Sequence, residues 1–302
     1  MDYYVKIDGG IGRCVAATGA VDLFAKKQAE QGNKVFVVTG LPFVFEGLES
    51  VERVYPIDAP FLYEDHILKG EFLEPEPYNN SKYYKEEKHL ASVFNYLLNG
   101  VDEFVEPFLT LNENELASGK EFVKNKRNGK KVLLLQPWGL FGGRQVGPEE
   151  IAEDESFRSL KKDFVKKLVE DLKEEYTILV VKDRGQAGFK DTEEFSPPNI
   201  RGVFSAIPFV DAIICCDSFL HHAAAALKTK AKVVVLWGGT SEKNLGYVSQ
   251  ENIRKNNFSE MVFEPNRIPH DHSYYVKKNK GCNDFGEKEE KKVKKALEEK
   301  VK

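Results

Sequence analysis

The sequence predicts an α/β protein of two Rossmann-like domains facing each other across a cleft. A short apolar strand near the N-terminus runs into a glycine turn and an alanine-rich helix, and a parallel strand follows. The same alternation restarts after a basic, polar stretch in the middle of the chain. A length of 302 residues, 41% of them hydrophobic and 30% charged, suffices for two cores of ordinary size.

Tyr4-Val5-Lys6-Ile7 reads as the first strand, and it enters Asp8-Gly9-Gly10-Ile11-Gly12 directly. The apolar stretch from Cys14 to Ala29 is a helix, closed by Gly32-Asn33, and Lys34 to Thr39 is a buried strand. From Pro56 to Tyr84 tyrosine, proline and acidic residues set no firm period. Leu90, Val93, Phe94, Leu97 and Leu98 then share one helical face, which Asn99-Gly100 ends. The stretch Lys124 to Lys131 is the expected boundary, dividing a domain of residues 1–128 from one of residues 129–302.

Beyond it, Val132 to Leu135 is a strand, and Phe157, Leu160, Phe164, Leu168 and Leu172 mark an amphipathic helix. Thr177 to Val181, Ala212 to Cys216 and Lys232 to Trp237 are further strands. A helix from Ser218 to Leu227 lies between the last two. Glu287 to Lys302 is a Lys/Glu-rich helix with Val293, Leu297 and Val301 on one side, able to pack back on the N-terminal domain.

The net charge of −4, from 44 basic and 48 acidic residues, gives no support for nonspecific nucleic-acid binding, although it leaves room for a local basic patch. Cys14, Cys215, Cys216 and Cys282 form no CxxC pair, which predicts reduced thiols and no metal site. The opening MDYYVKIDGG lacks the pattern of a signal peptide, and no apolar run reaches the roughly 20 residues that span a bilayer. A soluble, cytoplasmic protein is expected.

The chemistry concentrates in Cys216-Asp217-Ser218-Phe219-Leu220-His221-His222, which runs into Ala223 to Leu227. Asp217-Ser218 at a strand end caps the next helix, and the free N–H groups of that helix start suit a diphosphate. His222, one turn in, can donate to a phosphate oxygen. Gly238-Gly239-Thr240 ends the next parallel strand at the same sheet edge, where such folds bind ligands.

These residues resemble the pattern D-[ST]-G-x-x-H-x-A-A-A-L of glycosyltransferase family 9, the heptosyltransferase-like enzymes of GT-B architecture. Asp217, Ser218, His222, Ala224 to Leu227 and Gly239-Thr240 fit it, while Phe219 stands where glycine is usual. Gly12 to Val21 resembles the family's stretch after strand one, and Gly202 to Ser205 its short strand before a small helix. The resemblance implies a nucleotide-diphosphate sugar as donor substrate and an inverting transfer to an acceptor hydroxyl; the residues show no carboxylate pair for a metal, and no metal or other cofactor is expected. It implies donor contacts at Gly12, Asp217, Ser218, Phe219, His222, Gly239 and Thr240, with Arg144 in the role of a family lysine. Trp138, Lys182, Asp183 and Arg184 are candidate nucleoside contacts.

One departure stands out. The family's N-terminal aspartate, its usual candidate base, is Arg13 here, a basic residue in which the chain resembles phage-encoded members. Arginine suits a phosphate better than proton abstraction. Asp8 is the substitute base, with a turn-forming role as its alternative. The catalytic candidates are therefore Asp8, Arg13 and His222. A saccharide or glycolipid is the expected acceptor. A hydroxylated base in nucleic acid is the second reading, drawing on Lys82 to Lys88 and Lys124 to Lys131, and a nucleotide-binding protein without transfer is the third. A sugar-nucleotide epimerase fits less well, and an NAD oxidoreductase is disfavoured because the full G-x-G-x-x-G is missing. The oligomeric state is left open.

Overall fold

The computed structural model describes residues 1–139, 158–182, 186, 188–197, 199–255 and 281–299. In chain order the N-terminal half forms β1 (Asp2–Lys6), α1 (Ile11–Ala29), β2 (Lys34–Thr39), β3 (Arg53–Pro56), α2 (Leu62–Asp65), β4 (Glu71–Leu73), α3 (Ser81–Tyr84), α4 (Leu90–Asn99) and α5 (Glu113–Lys126). The rest forms β5 (Lys131–Gln136), α6 (Lys162–Leu172), β6 (Tyr176–Val181), β7 (Glu193–Phe195), α7 (Ile200–Ala206), β8 (Ala212–Cys216), α8 (Phe219–Ala226), β9 (Lys232–Trp237), α9 (Glu242–Leu245), β10 (Glu251–Arg254) and a last helix, Glu287–Glu298.

The strands make two sheets, one of four strands in the order β3-β2-β1-β4 and one of six in the order β10-β9-β8-β5-β6-β7. All pairings are parallel. Parallel sheets are covered on both faces, so their inner strands read as continuous apolar runs, and β8 (AIICC) is buried at every position. Helix α1 is buried from Cys14 to Val21 because it lies against α4 and α8 as well as its own sheet. Gly100 ends α4 in the left-handed conformation, φ 69°, as the Asn-Gly stop predicts.

The two halves share a core. Val15 and Val37 of the first, and Leu134, Phe219 and Leu220 of the second, belong to one buried apolar cluster. Helix α5 precedes the basic stretch yet packs against α7. The contact is close because residue 119 is glycine: a Cβ there would lie 1.9 Å from the Ser205 carbonyl oxygen. Arg201 ties the same junction, donating to Glu115 and to the carbonyls of Phe43 (2.8 Å) and Thr110 (2.7 Å).

Two expectations are corrected. Gly202 to Ser205 is not a strand but the middle of α7, because the Asn199 side chain accepts from the Gly202 N–H (2.9 Å) and starts a helix. The last helix packs on β9 and β10, with Val293 and Leu297 in the core of the second sheet rather than against the N-terminal domain. The irregular stretch from Pro56 to Tyr84 contains β4, whose three residues are too few to show a period. Among the described residues no helix is long and apolar enough to cross a membrane.

Candidate active site

The starts of α1 and α8 meet between the domains. Gly12 allows the approach: a Cβ there would lie 2.6 Å from His222 Cδ2 and 3.2 Å from its Nε2. His222 is buried, and its Nδ1 lies 2.8 Å from the Tyr247 hydroxyl. Burial pushes the Tyr247 phenol up, so it keeps its proton. With Tyr247 as donor the imidazole proton sits on Nε2, the nitrogen nearest Gly12. Burial, reinforced by the neighbouring His221, holds His222 well below its ordinary range despite the opposing charge of Asp217. It is thus a neutral ring with one N–H to offer a ligand.

Asp217 follows β8 and is buried, with Oδ1 3.4 Å from His221 Nε2 and Oδ2 3.8 Å from Arg158 Nη1. Burial opposes its ionisation, but the His221 hydrogen bond and the Arg158 charge outweigh it and hold the carboxyl well below the usual range. His221 is a packed residue, edge-on to Trp237 at 5.3 Å. The ligand atoms of Asp217, His221 and His222 lie within 4.8 Å of one another, so these three would hold a metal ion if one bound; their hydrogen bonds to each other and to Tyr247 already account for their placement.

Ser218 occupies the N-cap of α8 in the usual extended conformation, but its hydroxyl makes no capping bond, contrary to expectation. Nearby, both amide atoms of Gln136 and the hydroxyls of Thr240 and Ser241 are buried without a hydrogen-bond partner. They sit at the C-terminal ends of β5 and β9, the strands flanking β8. Buried polar atoms placed in this way are satisfied by ordered water or by a ligand.

The other sequence candidates fare differently. Phe219 turns into the shared core, 6.2 Å from the Phe204 ring, so its side chain is packed rather than presented to a donor. Trp138 is 2% exposed and stacks on Phe189 at 5.8 Å, so its ring is packing rather than a nucleoside platform. Lys182 donates to the Gln186 carbonyl (2.8 Å) and pairs with Glu194. Gly239 follows β9, beside Thr240. Arg144, Asp183 and Arg184 lie outside the described residues.

On the N-terminal side, Asp8 Oδ1 accepts from the Gly9 N–H (2.8 Å), the turn-forming arrangement. Arg13 pairs with Glu76 (3.0 Å) and lies over the Tyr78 ring. A cavity of about 320 Å³ opens beside the ends of β1 and β2, lined by Lys6, Val38, Phe61, Tyr63, Glu64 and Phe72. Tyr247, Arg158 and Glu76 were not legible as site residues, because each reaches the site from a loop without periodicity or motif.

His89 joins the domains at this point. Its Nδ1 accepts from the Ala91 N–H (3.1 Å) at the start of α4, and its ring lies 4.9 Å from that of Tyr247. Burial lowers it to about 4 from an ordinary 6.5. The unfolded chain therefore binds this proton more tightly. The contribution is whole above pH 6.5 and is lost as pH falls from 6.5 to about 4, by at most about 3 kcal/mol. Urea unfolding at pH 7 and pH 4.5 should show this loss, and His89→Asn, which keeps a capping oxygen, should flatten it.

Two parallel sheets with a shared core, the second carrying a helix start and buried polar groups without partners at the C-terminal ends of β5, β8 and β9, define a two-domain α/β architecture. No protein-family model matches the sequence, and no curated protein matches it in sequence. Solved structures match it in fold. A glycosyltransferase of family 9 from Veillonella parvula aligns with TM-score 0.68 over 98% of this chain and 96% of its own, at 12% identity. The Escherichia coli ADP-heptose lipopolysaccharide heptosyltransferase II gives 0.61 over 98% of each chain, at 12% identity. The iron-containing dodecameric glycosyltransferase TibC of enterotoxigenic E. coli gives 0.66 over 98% of this chain and 75% of its own, at 10% identity. The chain has the GT-B fold of glycosyltransferase family 9, as its motif resemblance implies.

Proposed function

We propose that the protein is a glycosyltransferase that moves a sugar from a nucleoside-diphosphate sugar to an acceptor hydroxyl, with inversion and without a metal. The observation that carries this reading is the convergence, at one sheet edge, of the α8 start, the neutral His222 donor and the unpartnered Gln136, Thr240 and Ser241. These groups are what a leaving diphosphate needs as negative charge builds on it. Arg144 is kept as a further diphosphate contact, and Asp183 and Arg184 as nucleoside contacts. The donor nucleotide to try first is ADP, since one structural neighbour is an ADP-heptose heptosyltransferase and another holds ADP-D-β-D-heptose.

A saccharide or glycolipid is the favoured acceptor. The cavity on the N-terminal domain has aromatic and aliphatic walls with only Lys6 and Glu64 charged among its lining residues. Five of the cations in the basic stretches that would serve nucleic acid are paired with carboxylates: Lys82 and Lys88 with Asp102, Lys126 with Glu193, Arg127 with Asp211 and Lys131 with Glu175. Nucleic-acid binding would require such charges for phosphates.

The test is thermal stabilisation by a panel of ADP, GDP, UDP and their sugars. One nucleotide at 100 times its Kd should stabilise the chain by about 2.7 kcal/mol. Asp217→Ala and His222→Ala should each weaken the effect. A folded protein that no nucleotide stabilises would remove the basis of this reading. Stabilisation by a nucleotide sugar that is never turned over with any acceptor would favour a binding protein without transfer.

A further inference from the structure

Arg13 is the third residue of α1, next to the glycine that touches His222. Its Nη2 donates to Glu76 Oε2 at 3.0 Å and to the Pro75 carbonyl at 3.5 Å. The guanidinium also lies 5.0 Å from the Tyr78 ring centroid and 5.8 Å from that of Phe94. Its side chain is 11% exposed, whereas that of Glu76 is 39% exposed. The cation is therefore the buried anchor of this pair, and the carboxylate is its accessible end. Glu76 Oε1 is held from a second direction by the Tyr78 N–H, at 3.0 Å.

We propose that Glu76 is the general base of the transfer and that Arg13 is its positioning residue. This rests on the glycosyltransferase reading. The motif resemblance places a carboxylate at position 13, and here the residue at that position carries one by ion pair instead. Two contacts fix the Glu76 carboxylate and leave a lone pair on each oxygen to receive a proton. Asp8 is the weaker candidate, because among the described residues no basic side chain pairs with its carboxylate, which accepts from the Gly9 N–H at 2.8 Å.

In the step, the acceptor oxygen forms a bond to the anomeric carbon and its proton passes to Glu76. The bond from that carbon to the diphosphate oxygen breaks, and its electron pair stays on the leaving diphosphate. A carboxylate is a weak base, and it suffices here: in an oxocarbenium-like transition state the acceptor hydroxyl becomes acidic as it bonds to carbon.

The experiment uses the full chain and the nucleotide sugar that stabilises it most, with release of the nucleoside diphosphate to water as the readout. Glu76→Gln should lower release by about 10²-fold or more while thermal stabilisation by the nucleoside diphosphate is unchanged. The paired change Arg13→Asp with Glu76→Gln returns the carboxylate to position 13 and should recover at least about tenfold of that loss, which a purely structural role for the pair would not produce. Glu76→Asp, which keeps the ion pair, should retain intermediate turnover if the paired variant fails to fold. Wild-type turnover in Glu76→Gln, or loss of nucleotide binding together with turnover, overturns the assignment. Loss of turnover in Asp8→Asn but not in Glu76→Gln moves the base to Asp8. Absence of nucleotide binding in the wild type overturns the glycosyltransferase reading, and this assignment with it.

Discussion

His222→Ala is expected to slow turnover of the nucleotide sugar by about 10²–10³-fold, the usual cost of removing one donor from a developing negative charge. The size follows from the site. His222 is buried, neutral and held at Nδ1 by Tyr247, so its Nε2–H needs no rearrangement when the diphosphate begins to leave. Tyr247→Phe keeps the ring but releases Nδ1, and its rate should fall between those of the wild type and His222→Ala. Steady-state release of nucleoside diphosphate measures both. A rate for His222→Ala within a few-fold of the wild type would show that the leaving group is stabilised elsewhere.

Gly119→Ala is expected to cost about 3 kcal/mol of stability, the upper end of what one overpacked methyl usually costs. The added Cβ would meet backbone, 1.9 Å from the Ser205 oxygen and 2.4 Å from its carbon, so no side chain can swing aside. Helices α5 and α7 would have to separate, loosening the junction that Arg201 ties to Glu115, Phe43 and Thr110. Gly188→Ala, where a Cβ meets nothing within 4 Å, is the control and should stay within about 0.5 kcal/mol. Urea midpoints compare the two. Equal stabilities would mean that α5 and α7 part without cost.

The predicted strands Ala212–Cys216 and Lys232–Trp237 coincide with β8 and β9, because a strand covered on both faces must be apolar at every position. The helix after β8 was equally plain, its alanines permitting close approach to the sheet. Elements of three or four residues, such as β4 and β7, carried no signal, since so short a segment completes too little of either period. Gly202 to Ser205 misled for another reason. Its resemblance to the family's motif implied a strand, and the Asn199 cap and the contact with Gly119 decide for helix.

The site divides along the same line. Local order in the chain was sufficient for Asp217, Ser218 and His222 at a strand end and for Gly12 in a glycine turn, because a parallel sheet delivers every such turn to the same edge. Only the tertiary structure decided which groups those residues meet: Tyr247 for His222, Arg158 for Asp217 and Glu76 for Arg13. It also packs the Phe219 ring near Phe204 and stacks Trp138 on Phe189. Periodicity and turn chemistry act over a few residues and can be read from sequence. A hydrogen bond or ion pair between residues 25 or 63 positions apart depends on how the elements pack, which no local pattern encodes.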